Sequence, residues 1–304
     1  MELWQLRTFR AVAENLNFTK ASEQLFLTQS AVSHQIKALE EDFGVPLFIR
    51  GKRGVTLTDA GKTALKYAIK ILDQAEEMRE IVAGREKAIA GRVRVAAATQ
   101  ALVYLFAPLF EDFMDAFESV ELIFRTTVST EQTVEDILNG VADVGFASLN
   151  IYSPNLEVTE LFQDELVLVV GKKHKLAQKN EISIRQLMSE RWILFERGSS
   201  IRRATDDFFK RKKIEPETAL ESNDVYFIKI MIEHGLGVSL LPSWAVTEEI
   251  ERGDLSFVKV KNLNLKRQIA MLSIKGQQSA PIRAFINFVF NHKKKLQDIA
   301  LTDK

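Results

Sequence analysis

The sequence predicts a small winged helical head, one long connecting helix and a C-terminal α/β domain. Three observations lead there. Three short helix signals run into a glycine-bounded hairpin by Thr58. About thirty residues follow without a proline or turn signal, roughly 45 Å of helix at ~1.5 Å per residue. From Val93 onward, short β-rich runs alternate with helical ones.

In the head, Leu3, Leu6, Phe9, Val12 and Ala13 recur at helical spacing. Asn17-Phe18-Thr19 interrupts them, and Thr19 is placed to cap a helix over 20–25. Phe26-Leu27-Thr28 is a tight connection. Thr28 can cap the next helix, with Leu27 and Val32 as a hydrophobic staple. Gly44 suits the left-handed position that ends this helix, and Pro46 prevents its continuation. Val32, Ile36, Leu39 and Phe43 form its inward stripe; Gln29, Ser30, Ser33, His34 and Lys37 lie on the other side. Short strands at 48–50 and 55–57 then flank Gly51-Lys52-Arg53-Gly54 as a hairpin tip. Together these elements read as a winged helix-turn-helix.

Thr58-Asp59 opens the long helix, expected to reach about Ala88. Ala64, Ala68, Ile71, Ala75, Met78 and Val82 alternate spacings of four and three, a heptad seam whose small residues allow a partner helix to approach closely. Beyond Gly91 the strand candidates are 92–98, 121–128, 142–147, 165–171, 192–196, 237–242 and 267–274, with helices between most of them, for example 134–139 and 228–234. The basic run at 292–295 reads as a solvated helix end.

Composition sets limits. The chain has 304 residues, and at ~100–200 residues per domain it holds two or three domains. A hydrophobic fraction of 46% fills a core, but 41 basic residues against 41 acidic remove any global electrostatic argument for nucleic acid. With no cysteine, a disulfide scaffold, thiolate catalysis and a zinc finger are excluded. His34, His174, His234 and His292 lack metal-ligand spacing. The N-terminal stretch has no apolar h-region, and runs such as LVLVV fall short of the ~18–20 residues that a membrane span needs. The expectation is a cytoplasmic protein with no metal, no cofactor and no membrane partner.

The first 61 residues resemble LysR-type transcriptional regulators. The resemblance rests on Leu6-x-x-Phe9, Phe18-Thr19-x-Ala21-Ser22-x-x-Leu25, Thr28-Gln29-Ser30-Ala31-Val32-Ser33 and Gln35-Ile36-Lys37-x-Leu39-Glu40. It continues through Gly44-x-Pro46-Leu47-Phe48-x-Arg50, Arg53 and Leu57-Thr58-x-Ala60-Gly61. Weaker matches extend along the chain: Gly140-x-x-Asp143, His174-x-Leu176-Ala177 and Gly235-x-Gly237-x-x-x-Leu241-Pro242. Ser30 and His34 depart from the proline and arginine common in that family. The resemblance implies a DNA-binding head over 1–58, a dimerisation helix over 59–90 and an effector domain over 91–304. It further implies that the effector domain is similar to periplasmic binding proteins: subdomain I at about 91–162 and 268–304, subdomain II at about 163–267, joined by two crossover strands.

A helix-turn-helix places the N-terminal part of its second helix in the major groove. Gln29 can pair with adenine, Ser33 with base edges, and His34 with a purine N7 or a phosphate. Lys37, Ser30 beside the helix-start amides, and the capping Thr28 fit phosphate. Arg50, Lys52 and Arg53 form a positive patch on the wing, with Arg53 at its tip. In a two-subdomain receptor the ligand lies between the subdomains, where helix N-termini favour anions. Ala98-Thr99-Gln100, Ser129-Thr130 and Gly198-Ser199-Ser200 each follow a strand signal and precede a helix signal. In the family, positions matching Thr99, Thr130 and Ser200 touch the effector. Asn223 and Phe146 are expected near the cleft, and Arg202 could pair with a carboxylate or sulfate.

The expected function is effector-controlled, sequence-specific regulation of transcription. The expected partners are double-stranded DNA, a small organic anion or amino acid, a second copy of the chain (homodimer or homotetramer) and RNA polymerase. A receptor with a non-functional DNA head is the alternative. An enzyme is disfavoured, since no phosphate-binding loop, nucleophile elbow or metal cluster can be read.

Overall fold

The computed structural model describes residues 1–51, 54–82, 89–149, 153–276 and 278–300. The head consists of α1 (Leu3–Asn15), α2 (Phe18–Leu25), α3 (Gln29–Phe43) and the hairpin β1 (Phe48–Gly51) and β2 (Gly54–Leu57). Its core joins Leu6, Phe9, Val12, Phe18, Val32, Ile36 and Leu39 to Leu47 and Phe48 of the wing. The Phe48 ring meets Phe9 edge-on at 5.4 Å and Phe18 at 5.7 Å.

Two local expectations change. Helix α2 begins at Phe18, and its cap is Asn17, whose side chain accepts from the Thr19 and Lys20 amides. Asn17 is as good a cap as Thr19 and sits where the chain turns. Phe43 is 41% exposed, so the inward stripe of α3 ends at Leu39.

The linker helix α4 (Asp59–Val82) continues the chain; residues 83–88 lie outside the described ones. Leu65, Ala68, Ile69 and Leu72 pack into the head core. Ala68, expected on the free seam, is therefore internal. The free face carries Tyr67, Met78 and Val82, exposed, with Ala75 half-buried, while Ala64 and Ile71 of the expected seam pack partly against the head core. Ala75, Met78 and Val82 keep the spacing of three and four.

The effector domain opens with β3 (Gly91–Ala97), the short turn α5 (Thr99–Ala101), a wide helical turn at Leu102–Phe106 and α6 (Ala107–Ala116). Then come β4 (Val120–Thr126), α7 (Thr130–Leu138), β5 (Val144–Ser148) and β6 (Leu156–Gly171). The second lobe holds β7 (Glu181–Ile182), β8 (Arg191–Phe195), α8 (Ser200–Lys212), β9 (Glu217–Ser222), α9 (Val225–Glu233), β10 (Ser239–Pro242), α10 (Thr247–Arg252) and β11 (Leu255–Val260). The chain returns through β12 (Lys266–Ile274) to α11 (Ala280–Asn291) and α12 (Lys293–Ala300).

One sheet runs β4-β3-β5-β12-β6-β11-β7, with β10 also on β6; β8 and β9 form a separate parallel pair. Strands β3, β4 and β5 are parallel. Strand β6 pairs with β12 through its first half and with β10 and β11 through its second, so one strand belongs to both lobes. Three strands escaped the sequence reading: β7, β9 and β11. So did the first half of β6.

The basic run at 292–295 lies where α11 ends and α12 begins, with Lys293, Lys294 and Lys295 exposed. Beyond it α12 buries Leu296 and Ala300 against the crossover. Lys295 pairs with Asp112, and Gln297 exchanges two hydrogen bonds with the Gln163 backbone.

Candidate functional site

Helix α3 is built by its buried side. Val32, Ile36 and Leu39 are each 0% exposed, which fixes the rotation of α3 and leaves the opposite face to solvent. The Thr28 hydroxyl accepts from the Ala31 amide at 3.2 Å and lies 3.0 Å from the Ser30 hydroxyl. Gln29, Ser30, His34 and Lys37 are exposed and Ser33 is half-buried. Lys37 makes only a 3.6 Å contact with Glu41 one turn on, a weak exposed pair that leaves it available to an anion. Arg50 stands on β1 with its guanidinium 4.3 Å over the Phe18 ring, held flat against the head by cation–π attraction. Lys52 and Arg53 lie outside the described residues.

Two residues that the family motif contains acquire a mechanical role. Glu40 accepts from the Leu47 and Phe48 amides at 2.7 and 3.1 Å, which pins the wing to α3. Gly61 lies where α4 crosses the wing: a Cβ there would sit 2.1 Å from the Leu47 carbonyl oxygen. Their spacing is visible in the sequence; the contact that requires it is not.

In the effector domain, Thr99 and Gln100 open α5 after β3, exposed and half-buried respectively. Ser129 caps α7 by accepting from the Gln132 amide, and Thr130 is buried behind it. Ser199 caps α8 by accepting from the Arg202 amide. Ser200, half-buried, accepts from Arg267 Nη1 at 3.1 Å. Asn223 is exposed before α9, which Asp224 caps. These polar positions follow strand ends of the two lobes. Glu131 of α7 and Arg203 of α8 meet at 2.9 Å. Burial pushes the Glu131 carboxyl up, but hydrogen bonds from its own backbone amide and from Arg203 outweigh that and hold it below the usual carboxylate range.

Two expected contacts do not stand in the cleft. Phe146 is 4% exposed and stacks on Phe106 at 4.1 Å, inside the aromatic core. Arg202 already donates to the Phe195 carbonyl at 2.7 Å and to Asp206 at 2.8 Å, and pairs with Glu221 at 2.8 Å. Burial opposes its charge, and these two carboxylates more than restore it, raising its pKa. Its donors are engaged within its own lobe, so it is not free for a ligand anion.

Below Ser200 lies a buried ion pair that the sequence did not announce. Asp164 of β6 is 0% exposed and binds Arg267 of β12 through both carboxylate oxygens, while Trp244 Nε1 donates to it at 3.2 Å. The partners are 103 residues apart, so no local spacing reveals them.

A groove of about 1480 Å³ separates the head from the effector domain. Its lining includes four ion pairs, Arg7 with Glu76, Arg10 with Asp73, Arg92 with Glu121 and Arg94 with Asp143, beside apolar side chains such as Leu16, Ile123 and Phe124.

Comparison with known proteins fits this geometry. Residues 3–62 match the bacterial regulatory helix-turn-helix protein, lysR family, and residues 86–294 match the LysR substrate binding domain. The uncharacterized HTH-type transcriptional regulator YwqM of Bacillus subtilis (strain 168) is 34% identical over 294 residues, covering 94% of this chain and 98% of that protein. The structure of full-length CbnR complexed with its target DNA is similar with a TM-score of 0.64 at 25% identity, over 95% of this chain and 99% of that one. The regulatory domain of CcmR from Synechocystis PCC6803, in complex with 2-PG, is similar with a TM-score of 0.62 at 26% identity, over 67% of this chain and 98% of that one. The matched families are regulators, not enzymes. The chain belongs to the LysR family: it is a DNA-binding transcriptional regulator with a small-molecule effector domain.

Proposed function

We propose that a homodimer of this chain reads successive major grooves through Gln29, Ser33 and His34, with Thr28, Ser30, Lys37, Arg50, Lys52 and Arg53 on phosphate. A small organic anion or amino acid between the two lobes, at Thr99, Gln100, Ser129, Thr130, Ser199, Ser200 and Asn223, controls that binding. The observation that carries the first part is the exposed polar face of α3 over a fully buried stripe, beside the free seam of Tyr67, Met78 and Val82 on α4. The second part is supported by helix N-termini from both lobes, whose free amides and partial positive charge favour anions. The CcmR domain in complex with 2-PG is a relative with a ligand in the matching domain.

The proposed domain limits are a head to residue 58, a linker over 59–90 that includes α4 (Asp59–Val82), and an effector domain divided near residues 163 and 267. A DNA partner places the protein in the cytoplasm, and no helix among the described residues is long and apolar enough to cross a membrane. Pairing of dimers into a tetramer and contact with RNA polymerase at a promoter complete the assembly.

Footprinting the intergenic DNA beside the gene tests the head. Two protected half-sites about one helical turn apart (~10 base pairs) are expected. No protection at low salt returns the chain to a receptor with a non-functional head. Calorimetry with a metabolite panel tests the cleft, and heat from neutral ligands alone overturns the anion assignment.

A further inference from the structure

We propose that α7 is the transmission element between the effector cleft and the linker helix. This rests on the cleft reading above and adds how its state reaches the head.

The two ends of α7 touch different bodies. At its first turn, Glu131 accepts from Arg203 Nη1 at 2.9 and 3.0 Å, and Arg203 belongs to α8 in the other lobe. At its last turn the chain passes into Gly140, whose φ is +72°. A Cβ at Gly140 would lie 3.2 Å from Ile69 Cδ1 and 3.8 Å from Lys66 Cα, both on α4. Nine residues of helix, about 13 Å at ~1.5 Å each, therefore separate the cleft from the linker.

The helix cannot slide on its sheet. Gly145 of β5 lies directly beneath it, where a Cβ would meet Thr133 Cγ2 at 2.5 Å and Ile137 Cδ1 at 2.7 Å. Helix α7 and its lobe move as one body. Nor is the far end loose. Ile69 is buried in the head core, and α1 is tied to α4 through Arg10 with Asp73 at 3.9 Å and Arg7 with Glu76 at 3.7 Å. A tilt of one lobe against the other thus presses or withdraws Gly140 against α4, and α4 carries the head with it.

The cross-cleft pair sets that tilt. Glu131 is 64% exposed and Arg203 36%, so their pairing is weak and open to competition. An anionic effector competes with Glu131 for the same guanidinium. A second contact between the lobes, the buried Lys229 with its Nζ 4.4 Å over the half-buried Tyr104 ring, is outside that exchange. It keeps the lobes together while Arg203 acts as the release.

The chain has no cysteine, so introduced pairs carry spin labels without background. Labels at Glu118→Cys and Lys210→Cys report the lobe-to-lobe distance. Labels at Lys20→Cys and Glu157→Cys report the head-to-effector-domain distance. Full-length labelled chain is diluted into unlabelled chain, with neither DNA nor effector present. Arg203→Ala should shift both distributions by about 2 Å or more, the size of a helix displacement at a packed interface. Glu131→Gln should reproduce the effect. Adding Ile69→Val, which deletes the Cδ1 facing Gly140, should keep the lobe shift and at least halve the head shift. A lobe shift with an unmoved head overturns the proposal. So does an unchanged lobe distance, or a head shift that persists in full with Ile69→Val. Because no effector or DNA enters the experiment, its failure is distinct from a failure of the cleft assignment.

Discussion

The head and the effector domain use polar side chains in opposite ways. On α3 the polar face is exposed and almost unpartnered, over a stripe of fully buried apolar residues. In the effector domain the polar residues near the strand ends are mostly engaged: Ser129 and Ser199 as caps, Ser200 with Arg267, Arg202 with three acceptors. Apart from the capping Thr28 and Arg50 over Phe18, the head keeps its exposed polar groups apart from its stability. In the effector domain the residues proposed for the ligand also serve the fold, so substitutions there are expected to change both.

The sharpest test of this contrast is the buried pair at the crossover. Asp164→Ala strands the Arg267 charge and should destabilise the chain by about 3–5 kcal/mol in a urea titration. Glu131→Ala, at the exposed rim, should change stability by less than ~1 kcal/mol. Equal effects would erase the distinction between the two arginine–carboxylate pairs. Next in size, Gln29→Ala should reduce discrimination between operator and random DNA by about 1–3 kcal/mol, with an unchanged unfolding midpoint. Equal loss on all sequences would remove Gln29 from base reading. Smaller again, Asn17→Ala should lower head stability by about 1 kcal/mol, and Thr19→Ala by clearly less, because Asn17 is the cap.

The smallest effect concerns pH. Burial, set against attraction by Arg94, raises the Asp73 pKa from its ordinary 3.8. A carboxyl raised in the folded state binds its proton longer there than in the unfolded chain. Its stabilisation is present below pH 3.8 and is lost as pH rises through the raised value. Asp73→Asn should therefore flatten the melting temperature against pH above 3.8, with a slight gain at neutral pH. A steeper profile would mean that the Arg10 contact outweighs burial.

Legibility in the sequence follows the same divide. The head was readable because its determinants are local: a connection of three residues, a cap, a stripe at helical spacing and a glycine stop. The apolar half of β6 was readable, but its first half, LEVTELFQ, alternates with polar residues because that stretch is the crossover and carries solvent-facing positions. Strand β9, ETALES, is paired along one side only, with β8, and has no apolar run to betray it. The candidate effector residues were found as strand-to-helix transitions. Which of them are already engaged was not legible, because Arg267 beside Ser200, and Phe195 and Glu221 beside Arg202, come from strands; only Asp206 is on the same helix.

The ladder between β6 and β12 is interrupted once. Phe162 faces Ile269 and Glu160 faces Ala270, so Leu161 has no opposite number. A strand common to both lobes cannot shear along its neighbours without breaking hydrogen bonds, but it can flex where one residue is already surplus. Any movement between the lobes is then angular, like a page turned about a crease. The rim, farthest from the crease, sweeps the widest arc, so a slight change in bend at Leu161 is read there as a large opening.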